Sequence, residues 1–435
     1  MTNEDQFRMG VEADAVVRLG MLLMGAGTSG YRVIRGMKRA ARALGFDRVD
    51  AVIGVTQITS TIHKGSEFRT VVAKSQTPAV DASRIEALEN LTHHMHRRIT
   101  AEQLNAELDT IEFTVVKRWS SIVLALAAAF ACASFAVLNH FDWLEAGIVA
   151  VSAGCGQYTR HRLHRMRMHQ LGCVAAAGTV ASLSYFAITR ILLLLGFDSD
   201  YTMTAGYVAA VLFLIPGFPL FSAMIDLGRF DFEAGTARLM YALTIIATAT
   251  FSVAMVSWGT GLNPEPVHGD PHPAWLFIAG IASFVGIAGF AFLFNSSRRM
   301  VLVAAVVGTA ANLIRLLLEE CGATAYFAAF VGGVIIGLVG AVASKKVRLP
   351  RITTTVPAAI ILIPGTAMFR AVYYLNNGDM DHALSNAATA AMVVFSISAG
   401  LVLARLLTDR AWTFGHLIEF DGSAEGLVDS FPSDF

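Results

Sequence analysis

Charged and apolar residues are spaced in two different ways along this chain, and the change comes at about residue 117. Before it, charges recur every few positions and no apolar run approaches the ~20 residues that cross a bilayer. Apolar positions at helical spacing across residues 11–44 predict one or two helices, with Gly45 as a C-cap. Segments 49–55, 58–62 and 68–73 are rich in Val, Ile and Thr and predict a small sheet, with Lys64-Gly65 at a turn. Pro78 breaks that pattern. Asp81 then opens a helical stretch that runs, with one interruption near Thr100-Ala101-Glu102, to about Glu112. Residues 1–115 are therefore expected to form a small α+β domain.

From Trp119 onward the apolar runs lengthen. Ten stretches fall in the length range of spanning helices: 119–139, 143–157, 171–195, 203–225, 237–258, 274–294, 300–318, 324–343, 354–375 and 386–407. The second is short and suits a tilted or re-entrant element, although Gly147, Gly154 and Gly156 also fit close helix packing. The expected fold class is thus a polytopic α-helical membrane protein, with a tail at 411–435.

The pattern also repeats. Leu214-Ile215-Pro216-Gly217 in the fourth stretch returns as Leu362-Ile363-Pro364-Gly365 in the ninth. Phe221 and Phe369, Ala223 and Ala371, and Asp231 and Asp379 follow at equal offsets. The repeat unit is five helices, with halves at 116–260 and 270–410. Because five is odd, the two halves enter the membrane from opposite sides, as inverted repeats do in many secondary transporters. Proline and glycine break helical hydrogen bonding, and matched breaks predict a substrate site between the halves near the bilayer midplane. Pro216, Gly217, Pro364 and Gly365 are the candidates. A single Pro-Gly would more simply be a kink.

Composition agrees with a membrane chain: 55% of residues are hydrophobic, 15% are charged and the mean hydropathy is +0.56. Thirty-three Lys and Arg balance 33 Asp and Glu, which removes the global electrostatic case for nucleic-acid binding. Lys and Arg gather in segments 158–169, 298–299 and 345–351, and segment 259–273 has none. The positive-inside rule then puts both termini in the cytoplasm. From the polar, acidic start no cleaved signal peptide is expected. The four cysteines form no CxxC pair, and neither a disulfide framework nor a cofactor is expected.

Charges inside spans are costly and tend to face a cavity or a partner. Arg370 and Asp226 follow the two Pro-Gly breaks on their own helices and are read as substrate-binding candidates. Arg190, Asn312, Arg315, Asp231 and Asp379 are coupling or structural candidates, with snorkelling as the plain alternative for the two arginines. Gly25, Gly27 and Gly30 fit GxGxxG with Asp50 about twenty residues on, but the surrounding segment lacks the βα units of a dinucleotide fold. A helix interrupted by close-packing glycines explains them better. No P-loop or GxSxG elbow is present. His93, His94 and His96 lack completing ligands and read as a solvated face rather than a metal site. His161, His164 and His169 belong to the basic segment.

Taken together, Leu22-Leu-Met-Gly-Ala-Gly-Thr28, Ile215-Pro-Gly217 leading to Asp226 and Asp231, Gly235-Thr-Ala-Arg238 and Ile363-Pro-Gly365 with Arg370 resemble the threonine/serine exporter family over nearly the whole chain. The chain departs from the family pattern at Phe230, where glycine is common, and at Ile34, where an acidic residue is common. The resemblance implies a cytoplasmic domain fused to ten helices in the bacterial inner membrane. It also implies proton-motive-force-driven efflux of threonine and serine. Relatives that handle dicarboxylates such as succinate share this architecture, and an enzyme or sensor acting through residues 1–115 is the rival of another class. The implied partners are a small amino acid, protons and the lipid bilayer; a homo-oligomer is left open.

Overall fold

The computed structural model describes residues 3–74, 79–95, 97–196, 205–262 and 274–413. Two helices open the chain, α1 (Asn3–Gly25) and α2 (Gly30–Leu44), and Gly45 ends α2 in the left-handed conformation at φ 89°. β1 (Arg48–Ile53), β2 (Gln57–Lys64) and β3 (Glu67–Lys74) form an antiparallel meander in which Val49 faces Ile62 and Ile58 faces Ala73. Alternate residues Val49, Ile53, Ile58 and Ile62 turn inward and join Leu19, Leu23 and Met37 in one apolar cluster. α3 (Ala82–His93) starts at Asp81, whose side chain accepts from the Arg84 amide, and α4 (Ala101–Thr114) starts with a Thr100–Gln103 capping box. Leu88, Leu104 and Leu108 bring both helices to the same cluster. Pro78 and His96 lie outside the described residues.

The rest of the chain is helical: α5 (Ser121–Leu138), α6 (Trp143–Arg165), α7 (Gln170–Leu194), α8 (Gly206–Ala209) with a 3-10 turn at Leu212–Leu214, and α9 (Gly217–Leu227). Then come α10 (Phe232–Thr260), α11 (Trp275–Leu293), α12 (Arg298–Glu320), α13 (Ala325–Val347), α14 (Arg351–Ile360), α15 (Gly365–Asn376), α16 (Met380–Thr408) and α17 (Arg410–Thr413). Among the described residues, seven helices are long and apolar enough to cross a membrane, or nine if each of two bent pairs is one span. This is the architecture of a polytopic α-helical membrane protein. The tail beyond residue 413 and positions 263–273 lie outside the described residues.

α6 corrects the expectation of a short element at 143–157 followed by a basic loop. It continues for 23 residues to Arg165, and Arg162, His164 and Arg165 occupy its last turn, where the exposed helix carbonyls favour positive charge. α6 is not among the seven apolar spans. Small residues let the remaining helices approach closely. A Cβ at Gly333 would strike the backbone of Ile397, and one at Gly400 would strike the backbone around Gly333, so α13 and α16 meet main chain to main chain.

Left-handed residues stand at many of the helix junctions. His140 (φ 62°) precedes α6 and Asn295 (φ 56°) precedes α12; Arg167 (φ 58°) precedes α7 and Gly322 (φ 88°) precedes α13. Gly196 (φ 79°) follows α7 and Arg348 (φ 57°) follows α13, while Phe230 (φ 64°) and Gly378 (φ 77°) stand before α10 and α16. Both of those last helices are 29 residues long.

Candidate functional site at the paired helix breaks

The two Pro-Gly sequences bend their helices, by 63° for Gly206–Leu214 against Gly217–Leu227 and by 53° for Arg351–Ile360 against Gly365–Leu375. Proline supplies no N–H and cannot continue the preceding ladder. Pro216 (φ −80°, ψ 60°) and Pro364 (φ −81°, ψ 62°) adopt the same conformation. After each, the glycine amide donates to the carbonyl two residues back, Gly217 to Ile215 and Gly365 to Ile363, both at 2.9 Å. The breaks also touch each other: a Cβ at Gly217 would meet Ile360 at 2.8 Å, and one at Gly365 would meet Ile215 at 2.8 Å.

A cavity of about 280 Å³ opens at the second break, lined by Pro364, Gly365 and Thr366 together with Asn139, Arg315 and Glu319. Arg315 donates from Nε to Asn312 Oδ1 at 2.9 Å and pairs with Glu319 at 2.7 Å. Asn312 in turn donates to Ser283 Oγ at 2.8 Å, which fixes its orientation. Candidates distant in sequence, Arg315, Pro364 and Gly365, thus meet at one place, with Asn312 behind Arg315. A hollow of mixed polar and apolar lining with a cation, a carboxylate and an amide suits a small polar ligand.

The other candidates lie apart from that cavity. Arg370 is half-buried on α15 and does not line the hollow. Asp226 is 1% exposed, and its Oδ2 accepts from Arg238 at 2.7 Å and from the Gly30 amide at 3.2 Å. Asp231 and Asp379 cap the helices that follow them, accepting from the amides of Ala234 and His382. The His382 amide and ring hold the Asp379 carboxyl below its ordinary range. Arg190 is exposed and stacks over Phe186 at 5.2 Å.

The glycine-rich motif joins two helices: Gly25 ends α1, Gly27 turns at φ 93° and Gly30 begins α2. A dinucleotide fingerprint needs a strand before the turn, so that reading does not fit. The amide at the start of α2 instead meets the carboxylate of Asp226, the negative group such a helix end favours. Among the described residues, no group of His, Cys, Asp and Glu is placed to hold a metal.

One residue escaped the sequence analysis. Glu145, early in α6, is 9% exposed, and its Oε1 accepts from Tyr185 OH at 2.6 Å and from the Gly206 amide at 2.9 Å. No Lys or Arg pairs with it among the described residues. The signal was an acidic residue at the head of an apolar stretch; its partners lie on two other helices.

A family model described as "Putative threonine/serine exporter" matches residues 14–257, and one described as "Threonine/Serine exporter, ThrE" matches residues 279–407. The chain is similar to the "Probable succinate transporter subunit YjjP" of Klebsiella aerogenes, 29% identical over 258 residues, 57% of this chain and 96% of that protein. Its similarity to the Escherichia coli K12 protein of the same description is 26% over 251 residues, 56% of this chain and 93% of the relative. The "Probable threonine/serine exporter" of Mycobacterium tuberculosis is 23% identical over 438 residues, 94% of this chain and 79% of the relative. No solved structure matches the chain.

Proposed function

The chain belongs to the threonine/serine exporter family, and from that premise we propose a secondary active exporter of threonine and serine, working by alternating access around the paired Pro-Gly breaks. The observation that carries this reading is the cavity at Pro364-Gly365, which gathers Arg315, held by Asn312, and Glu319 beside a duplicated break. Arg315 would hold the substrate carboxylate and Glu319 its ammonium, while backbone groups at the break and the Thr366 hydroxyl orient the rest. Arg370, on the helix that Gly365 opens, would move with that helix and help steer the carboxylate. Asp226, bound to Gly30, would transmit movement of the first broken span to the amino-terminal helices.

Counting α6 with the nine spans gives ten helices in two inverted sets of five. The matched breaks, helix lengths and left-handed junctions support this arrangement. It places residues 1–115 as a cytoplasmic domain and 116–260 and 270–410 as the repeats, with both termini in the cytoplasm and the bilayer a bacterial inner membrane. Glu145 is the buried carboxylate best placed to carry the proton that drives export, since Tyr185 and the first residue of the broken fourth span both read its state.

A second reading, export of a dicarboxylate, rests on the two relatives described as succinate transporter subunits. The single Arg315–Glu319 pair suits a zwitterion better than a second carboxylate. An enzyme or sensor acting through the glycine turn has less support, because Asp226 of the same chain occupies the amide at Gly30.

The test is efflux from proteoliposomes loaded with labelled threonine, serine or succinate under an imposed proton gradient, with and without an uncoupler. Uncoupler-sensitive loss of threonine and serine, abolished by Arg315→Gln, is the expected result. Gradient-dependent loss of succinate alone would transfer the assignment to dicarboxylates, and flux indifferent to the gradient would remove secondary active transport.

A further inference from the structure

A second cavity, of about 50 Å³, lies at the seam between the α2–α3 pair and the ends of α13, α14 and α16. Arg32, Arg35 and Arg351 line it together with the exposed Lys345, which has an interaction of its own, and among the described residues the lining carboxylates are those of Glu89 and Asp409. Arg32 is ion-paired to Glu89, and Arg351 donates to Thr408 Oγ1 at 2.6 Å and to the Gly337 carbonyl at 2.7 Å. Arg405 stands behind them, with Asp409 as far as 3.8 Å from its Nε. With Lys345 left out of the count, Arg32, Arg35, Arg351 and Arg405 still outnumber Glu89 and Asp409 among the described residues of this half-buried seam.

Such an excess is costly, because removing an ion from water costs several kcal/mol unless an opposite charge compensates it. The cost is visible locally. Burial, with help from Arg39, Arg35 and Arg32, pushes His93 down to about 3, so His93 adds no charge of its own. Burial and Arg35 push Arg39 down to about 9. Among the described residues, the Nε of Arg32 in the lining and those of Arg39 and Arg405 beyond it are buried without a hydrogen-bond partner. Guanidinium groups with spare donors, converging from two parts of the chain, form the fork that recognises tetrahedral and planar oxyanions. The volume accommodates a few waters or one such group.

We propose that this seam is a binding site for a phosphate group, which neutralises the excess charge and clamps the α2–α3 pair to the second broken helix pair. It is separate from the cavity at Pro364, which shares no lining residue with it. A phosphate bound here joins Arg32 and Arg35 to Lys345 and Arg351, the residue that opens α14, so its occupancy sets how firmly the amino-terminal helices hold that span.

The experiment is calorimetric titration of the detergent-purified full chain with inorganic phosphate in a phosphate-free buffer. A parallel measurement takes melting temperatures in nanodiscs of phosphatidylcholine alone and of phosphatidylcholine with phosphatidylglycerol, to distinguish a free phosphate from a lipid headgroup. Saturable binding in either arm, weakened about tenfold or more by Arg35→Gln and by Lys345→Gln, is expected, the loss of one charge-assisted contact. Arg298→Gln, at the start of α12 and absent from the seam, should bind as the wild type does. The proposal is overturned if neither phosphate nor phosphatidylglycerol has an effect, or if both seam variants respond as the wild type does.

Discussion

Gly217 and Gly365 hold reciprocal places: Gly217 lies against Ile360 and Ile363 of the second break, and Gly365 lies against Leu212 and Ile215 of the first. Each follows a proline of almost identical backbone conformation. A change of bend at one break must therefore reshape the wall of the other. Two half-spans that move only together are a physical basis for opening one side of a transporter while closing the other.

A methyl group at either glycine overlaps those isoleucines and Leu212, and overpacking of this kind costs ~1–3 kcal/mol. Gly217→Ala and Gly365→Ala should each lower the melting temperature and slow efflux. The double variant should lose less than the sum, because both substitutions act on one contact. Strictly additive losses would show the breaks to be independent.

Asp226 and Arg238 form a buried ion pair, 1% and 6% exposed. Removing one partner strands the other charge, at ~3–5 kcal/mol. Asp226→Ala should destabilise the protein by that order and, by releasing Gly30, make the α1–α2 turn more sensitive to protease. Adding Arg238→Gln should recover a large part of the loss in thermal denaturation. No recovery would mean that Asp226 acts mainly through Gly30.

Phe230 sits at φ 64°, where a side chain is disfavoured by ~1–2 kcal/mol, and Gly378 holds the corresponding place without that strain. Phe230→Gly should raise stability by at most ~1 kcal/mol, part of the gain being offset by glycine's entropy when unfolded. Gly378→Phe should lower it. Melting curves of the two variants check both signs.

The periodic features were legible in the sequence: the helix pair closed by Gly45, the three strands, and the bends at Pro216 and Pro364, because each follows from local backbone chemistry. What joins them was not. The Gly30 amide finds Asp226 across 196 positions, and nothing local marks either residue as the other's partner. Arg315 reads in the sequence as a coupling or structural candidate with snorkelling as the alternative, and only the fold brings it to Pro364. The end of α6 was misread for a different reason, since a run of Arg and His resembles a loop in an apolar chain but is compatible with helix.

His93 gives a pH dependence of definite sign. Its pKa in the fold is about 3, below the ordinary histidine value of about 6.5. As pH falls through that window the unfolded chain takes up a proton that the folded chain refuses, so stability is complete above about 6.5 and declines toward 3. Melting temperatures measured between about pH 7.5 and about pH 5.5 should fall more for the wild type than for His93→Gln. Parallel curves would remove His93 as the cause.

Glu145 offers the sharpest test of proton coupling. It accepts hydrogen bonds from Tyr185 and from Gly206, and Asp142 at the head of α6 is the nearby acidic group. Glu145→Gln keeps an oxygen for both donors and is nearly isosteric, so the fold should stand, but the side chain can no longer gain or lose a proton. If Glu145 carries the driving proton, the variant should still exchange labelled for unlabelled threonine across proteoliposomes, while accumulation against a gradient and sensitivity to uncoupler both disappear. A purely structural role predicts a lower melting temperature with coupling intact. Tyr185→Phe separates the cases further: it removes one hydrogen bond of ~0.5–1.5 kcal/mol yet leaves the carboxyl group able to titrate, so uphill efflux should be slowed and remain uncoupler-sensitive.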